Sequence, residues 1–137
     1  MGIELTEKEI HFLLLLRNFD FLRSNGYSPK EFALYGRETF LNYENNRIKQ
    51  NLYIEWAPRN DLRIKIFKKS LFGGGEFELK DIFKYFDKDS VIKESPPMYV
   101  DMSEVIELNA KFIQQHLMPI IRGEVWIDEL IKKKKNE

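Results

Sequence analysis

From Glu38 to Lys69 apolar and polar residues alternate, whereas the flanking segments recur with helical spacing. Strict alternation marks a half-buried strand, and recurrence every three to four residues marks one face of a helix. The first helical stretch opens at Thr6-Glu7-Lys8-Glu9, a capping box with a hydroxyl at the N-cap and a carboxylate three residues on. Its expected apolar stripe is Ile10, Leu13, Leu14, Leu16 and Phe19, with His11 beside it. It ends at "RSNGYSP", where Asn25-Gly26 and Pro29 stop a helix. Residues 31–34 form too short a run to assign.

Two hairpins follow. "ETFLNYE" and "RIKQNLYIEW" flank Asn45-Asn46, a pair that tolerates positive φ in a two-residue turn, and "PRND" separates the second strand from "LRIKIFKK". A turn at Asn45-Asn46 sets Tyr43 opposite Ile48 and Leu41 opposite Gln50. In the second hairpin Trp56 faces Leu62, Ile54 faces Ile64 and Leu52 faces Ile66. Both registers send Leu41, Tyr43, Ile48, Leu52, Ile54, Trp56, Leu62, Ile64 and Ile66 to one face. The other face takes Lys49, Tyr53, Glu55, Arg63 and Lys65, with Glu55 opposite Arg63 as a favourable cross-strand pair.

The glycines of "SLFGGGEFEL" raise the question of a phosphate loop. A Walker loop needs a Lys-Ser/Thr pair after its last glycine, and here Glu76 and Phe77 follow Gly75. The spaced glycines of a dinucleotide fingerprint are missing too. Gly73 to Gly75 therefore read as a flexible connection. Phe77 and Leu79 alternate before a short helical turn through Phe83 and Phe86, and Pro96-Pro97 breaks the chain again. A long helix is expected from about Asp101 to Arg122, closed by Gly123. "EVWIDELIKKKK" then forms a short terminal helix, with Lys132 to Glu137 as a frayed tail. The pattern predicts an α+β fold: an antiparallel meander of three to four strands, with the N-terminal and C-terminal helices packed on its apolar face.

Composition bounds the rest. At 137 residues, 43% of them hydrophobic, the chain is a single domain able to bury a core, with eleven Phe, six Tyr and two Trp to build it. Twenty-two basic and twenty-two acidic residues cancel, so no global field steers the protein to nucleic acid or an anionic membrane. There is no cysteine, hence neither disulfide nor thiolate metal site. The start lacks a secretory pattern, and "FLLLLRNF" falls far short of the ~20 residues of a membrane span. Gly2 with Thr6 meets the bare myristoylation pattern, but the capping box explains Thr6 locally. Cytoplasm is the expected compartment.

Candidate chemistry is sparse. Asn109 and His116 fall near the centre of the stripe Val105, Ile106, Leu108, Phe112, Ile113, Leu117 and Ile120. Buried there, both need partners: either they line a pocket or they satisfy loop or sheet carbonyls. Pro119 favours the second, since it frees the Gln115 carbonyl and perturbs the helix. Two histidines without metal-ligand spacing make no metal site, no carboxylates are paired by spacing, and no nucleophile motif occurs; no cofactor is expected. The outward sheet face is the remaining candidate. It would hold Phe40, Tyr53 and Phe67 among Arg47, Lys49, Arg63, Lys65 and Lys69. Such a face would suit stacking of single-stranded nucleic acid, contact with a protein partner, or cover by a helix.

"NLYIEW" at the centre of the meander and the closing "NAKFIQQHLMPIIRGEVWIDEL" resemble small uncharacterised bacterial proteins, including immunity-like proteins encoded beside polymorphic toxins. In those, too, a long helix ends in a Gly followed by a Trp, here Gly123 and Trp126. The resemblance spans about the last two-thirds of the chain and rests on packing motifs. It implies stoichiometric binding of a protein partner and carries over no catalytic residue. Many immunity proteins are strongly acidic to match basic nucleases; the neutrality of this chain does not indicate a nuclease partner.

Overall fold

Five antiparallel strands lie side by side in chain order, one more than the sequence pattern predicts at most. They are β1 (Ser28–Tyr35), β2 (Glu38–Asn45), β3 (Gln50–Ala57), β4 (Asp61–Lys68) and β5 (Gly75–Glu78). The structure, a computed structural model, describes residues 4–35, 38–57, 61–69, 75–86 and 102–136. Gly2, "PRN", Gly73, Gly74, Pro96-Pro97, Asp101 and Glu137 lie outside them. Before the sheet comes α1 (Glu7–Asn18), followed by a 3₁₀ turn at Asp20–Asn25. After it come α2 (Phe83–Phe86), α3 (Met102–Phe112), α4 (Met118–Ile121) and α5 (Ile127–Lys135).

The capping box of α1 is made in full: Glu9 N donates to Thr6 Oγ1 at 3.2 Å, and Thr6 N donates to Glu9 Oε1 at 3.1 Å. The buried line of this helix differs from the expected one. His11, Leu15 and Phe19 are buried, whereas Ile10 and Leu13 are exposed. Five successive apolar residues from Phe12 to Leu16 sweep every direction of a helix, so the run holds no phase information.

Residues 31–34, too short a run to assign from the sequence, belong to β1. A bulge at Lys30 interrupts its pairing with β2 between Pro29 and Glu31. The second hairpin has the expected register, with Trp56 opposite Leu62, Ile54 opposite Ile64 and Leu52 opposite Ile66. The first does not. Asn45 pairs with Gln50, Tyr43 with Leu52 and Leu41 with Ile54, which leaves residues 46–49 as a four-residue loop. The Asn45 side chain accepts from Arg47 N at 3.1 Å, and Lys49 takes the left-handed conformation with φ 56°. These local devices replace the two-residue turn. Because the offset is an even number of residues, each side chain keeps its face although its partner changes.

The inner face carries Leu41, Tyr43, Leu52, Ile54, Trp56, Ile64 and Ile66, all buried in one cluster with Leu15, Phe19, Ile106, Phe112, Ile113, Leu117 and Ile120. Ile48 sits in the loop, half-buried against Gly123. That glycine has φ 76°, and a Cβ on it would stand 2.9 Å from Ile48 Cγ2, so both conformation and space require it. Between α3 and α4 residues 113–117 form a π-helical turn, the local perturbation expected next to Pro119. Gly75 is no mere link. It opens β5, and a Cβ there would meet Trp126 Nε1 at 2.9 Å, while the Trp126 ring stands edge-on to Phe77 at 5.4 Å. Lys132 to Lys135 are helical, and Lys135 Nζ lies 5.2 Å from the Tyr85 ring.

Candidate functional site

Strand pairing arranges the outer face in three rows. Phe40, Glu55 and Arg63 form the first; Glu31, Asn42, Tyr53, Lys65 and Glu78 the second; Glu44, Asn51, Phe67 and Glu76 the third. The Phe40 and Tyr53 rings meet on the diagonal between rows, edge to face with centroids 4.1 Å apart. Phe67 is set diagonally from Tyr53 on the next strand, and all three aromatics are half-buried. Arg63 is exposed and Lys65 half-buried beside them.

The electrostatics of this face differ from what the linear sequence implies. Arg47 and Lys49 belong to the loop between β2 and β3, and Lys69 follows the end of β4. Among the side chains the structure describes, Glu31, Glu44, Glu55, Glu76 and Glu78 share the paired outer positions with Arg63 and Lys65, and Lys30 and Lys80 reach onto the face from beside it. Glu44 accepts from Lys30 Nζ at 2.9 Å, and this bond holds its carboxyl below the usual carboxylate range. Glu78 accepts from Arg63 Nη2 at 2.7 Å and lies 3.3 Å from Lys80 Nζ. Its carboxyl is lowered chiefly by the Arg63 bond. Both stay ionised at neutral pH. Glu55 does face Arg63 across the ladder, although the guanidinium reaches for Glu78. The arrangement sets half-buried rings among carboxylates, two of which, Glu44 and Glu78, are ion-paired with Lys30 and with Arg63 and Lys80.

The polar pair of the long helix is not brought together. Asn109 is buried, but its Nδ2 donates to Val105 O of its own helix at 2.8 Å rather than to a loop or sheet carbonyl. His116 is half-buried rather than buried, with its ring beside Phe112 and Phe86 at 5.0 and 5.6 Å. The buried polar centre lies elsewhere. Gln50 Nε2 donates to Tyr27 Oη and to Ile120 O, each at 2.8 Å, and Tyr27 Oη donates to Ile121 O at 2.8 Å. Burial pushes the Tyr27 phenol up to about 12. The signal in the sequence was a glutamine at an inward position of a strand, but its partners are remote in the chain.

His11 is the other feature underweighted by the sequence reading. It is buried edge-on to Trp56 at 4.8 Å, and neither its Nδ1 nor Trp56 Nε1 has a hydrogen-bond partner. Among the described residues no three His, Cys, Asp or Glu side chains gather to hold a metal ion, and no helix is long and apolar enough to cross a membrane. Comparison of the chain with protein-family models, curated proteins and solved structures gave no match.

Proposed function

We propose that the protein is a non-catalytic protein-binding module, immunity-like in mode, that engages a partner stoichiometrically through the outer face of its sheet. In this reading the helices pack on the apolar face and leave the other to the partner. The observation that carries it is the Phe40–Tyr53 pair with Phe67, half-buried among charged and amide side chains of the outer face. Aromatic side chains and arginine are enriched among the residues that anchor protein interfaces. The excess of carboxylates favours a partner that presents basic residues around an apolar contact. It disfavours single-stranded nucleic acid, whose phosphates would meet Glu31, Glu55 and Glu76 on the same face.

The test pairs two measurements. Co-expressed with the product of the adjacent gene, the chain should copurify one-to-one. Tyr53→Ala or Phe67→Ala should then weaken binding by more than about 1 kcal/mol with stability nearly intact. A mixed-sequence single strand should not bind even at low salt. Micromolar, salt-sensitive binding abolished by Tyr53→Ala would replace this reading with nucleic-acid recognition. Unfolding of Tyr53→Ala would remove the footing of both.

A further inference from the structure

The described charges of the outer face fall into three kinds. Glu44 is held by Lys30, and Glu78 by Arg63 and Lys80. Glu31 and Glu76 are exposed and keep their water. Glu55 and Lys65 differ from both: their side chains are half-buried, and among the described residues neither enters a side-chain hydrogen bond or an ion pair. The ladder sets Arg63 opposite Glu55, but that guanidinium reaches 2.7 Å to Glu78. Glu55 and Lys65 are diagonal neighbours on β3 and β4, and they do not pair with each other either.

Their positions tie them to the aromatic pair. Glu55 lies directly opposite Phe40, and Lys65 directly opposite Tyr53. The two rings meet with centroids 4.1 Å apart, so the four side chains occupy adjoining positions of β2, β3 and β4. A surface that covers the rings also covers both charges. Covering an ionised group without a counter-charge opposes binding strongly, because its remaining hydration is lost and nothing replaces it. Glu44, Glu78 and Arg63 bring their counter-charges with them; Glu55 and Lys65 do not.

Resting on the reading of the outer face as the contact surface, we propose that Glu55 and Lys65 set its specificity. The partner brings a cation onto Glu55 and a carboxylate onto Lys65, at positions that lie roughly 7–8 Å apart on the sheet. A guanidinium suits Glu55 best, since its plane stacks on an aromatic ring such as Phe40 while its fork meets the carboxylate. The centre of the partner surface is therefore mixed in sign. A wholly basic surface would set like charge against Lys65, and a wholly apolar one would strand both groups.

The test uses the complex of the whole chain with the co-expressed product of the adjacent gene, and reads association and dissociation rates by surface plasmon resonance. Glu55→Gln and Lys65→Met keep the size of each side chain and remove its charge. Each should speed dissociation at least about tenfold, because the partner's charge is left buried and unpaired. Glu76→Gln removes an exposed charge from the same face and should act mainly on the association rate. The melting temperature of the free chain should not fall in any of the three. The exchange of Glu55→Lys with Lys65→Glu restores net charge and should bind no better than the single variants. Dissociation unchanged in Glu55→Gln or in Lys65→Met, while Tyr53→Ala or Phe67→Ala still weakens the complex, overturns the inference and leaves the contact face standing. No complex, or one indifferent to Tyr53→Ala and Phe67→Ala alike, overturns the contact face and this inference with it.

Discussion

The Gln50 side chain is 1% exposed, and its amide nitrogen donates to two acceptors inside the protein, Tyr27 Oη and the Ile120 carbonyl. Its Oε1 has no protein partner, so the residue brings one cost along with two bonds. Replacing it with leucine removes that unpaired acceptor but strips Ile120 O of the amide donor. Two lost bonds outweigh one relieved atom, and Gln50→Leu should destabilise by about 1–3 kcal/mol in urea unfolding. Asn109 is the instructive contrast. Its amide reaches only Val105 O, one turn back in the same helix, where the backbone already supplies a donor. Asn109→Leu should therefore change stability by less than about 1 kcal/mol in the same assay. A large loss at Asn109 with none at Gln50 would reverse the assignment. The sequence flagged Asn109 because helical phase is local information. Gln50 also fell on the inward face, but its bonds to positions 23 and 70 residues away depend on tertiary packing.

Among the elements, the second hairpin and the capping box were legible because their determinants are contiguous: alternation on both sides of "PRND" for one, Thr6 and Glu9 for the other. The first hairpin was misread by four residues. Asn45-Asn46 has the composition of a two-residue turn, yet Asn45 spends its side chain on the loop and Gln50 ends the ladder. Strand β1 was hidden because Pro29, a bulge and Lys30-Glu31 suppress alternation at an edge. The candidate face survived both errors, since an even shift preserves side-chain direction. Its charge did not: the Glu31, Glu76 and Glu78 positions depend on the β1–β2 and β4–β5 ladders, which the sequence left unpaired. The glycines show the same limit. Nothing near Gly75 announces that Trp126, 51 residues on, will lie against it. Gly75→Ala forces a methyl to within 2.9 Å of the indole nitrogen, and the ring must move or β5 must tilt. The expected loss is about 1–3 kcal/mol, as for other overpacked sites. Tryptophan emission and urea unfolding would register it; unchanged values would mean that Trp126 yields freely and does not anchor the edge.

Two phenols connect the packing of the whole molecule to pH. Tyr27 is bonded to the carbonyl of Ile121, 94 residues away, and joins the segment after α1 to the end of α4 through Gln50 on β3. Tyr43 lies on the inner face of β2. Burial pushes both phenols up to about 12, with the Asp20 carboxylate adding to the effect at Tyr43. In the unfolded chain a tyrosine ionises near its usual value of about 10. Between those values the unfolded state has released protons that the folded state still holds, so stability falls as pH rises. It should be level with respect to these groups below about pH 10 and decline steeply between about pH 10 and 12. Absorbance of tyrosinate, followed together with far-ultraviolet circular dichroism, should show the Tyr27 and Tyr43 phenols ionising only as the fold is lost. Tyr43→Phe is the variant to use, because Tyr27→Phe would also leave the Ile121 carbonyl without its side-chain donor and lower stability at every pH. In Tyr43→Phe the alkaline midpoint should move upward and the number of late-ionising phenols should fall by one. Full ionisation of all six near pH 10 with the circular dichroism unchanged would show that these phenols reach solvent, and that the core around Gln50 is open.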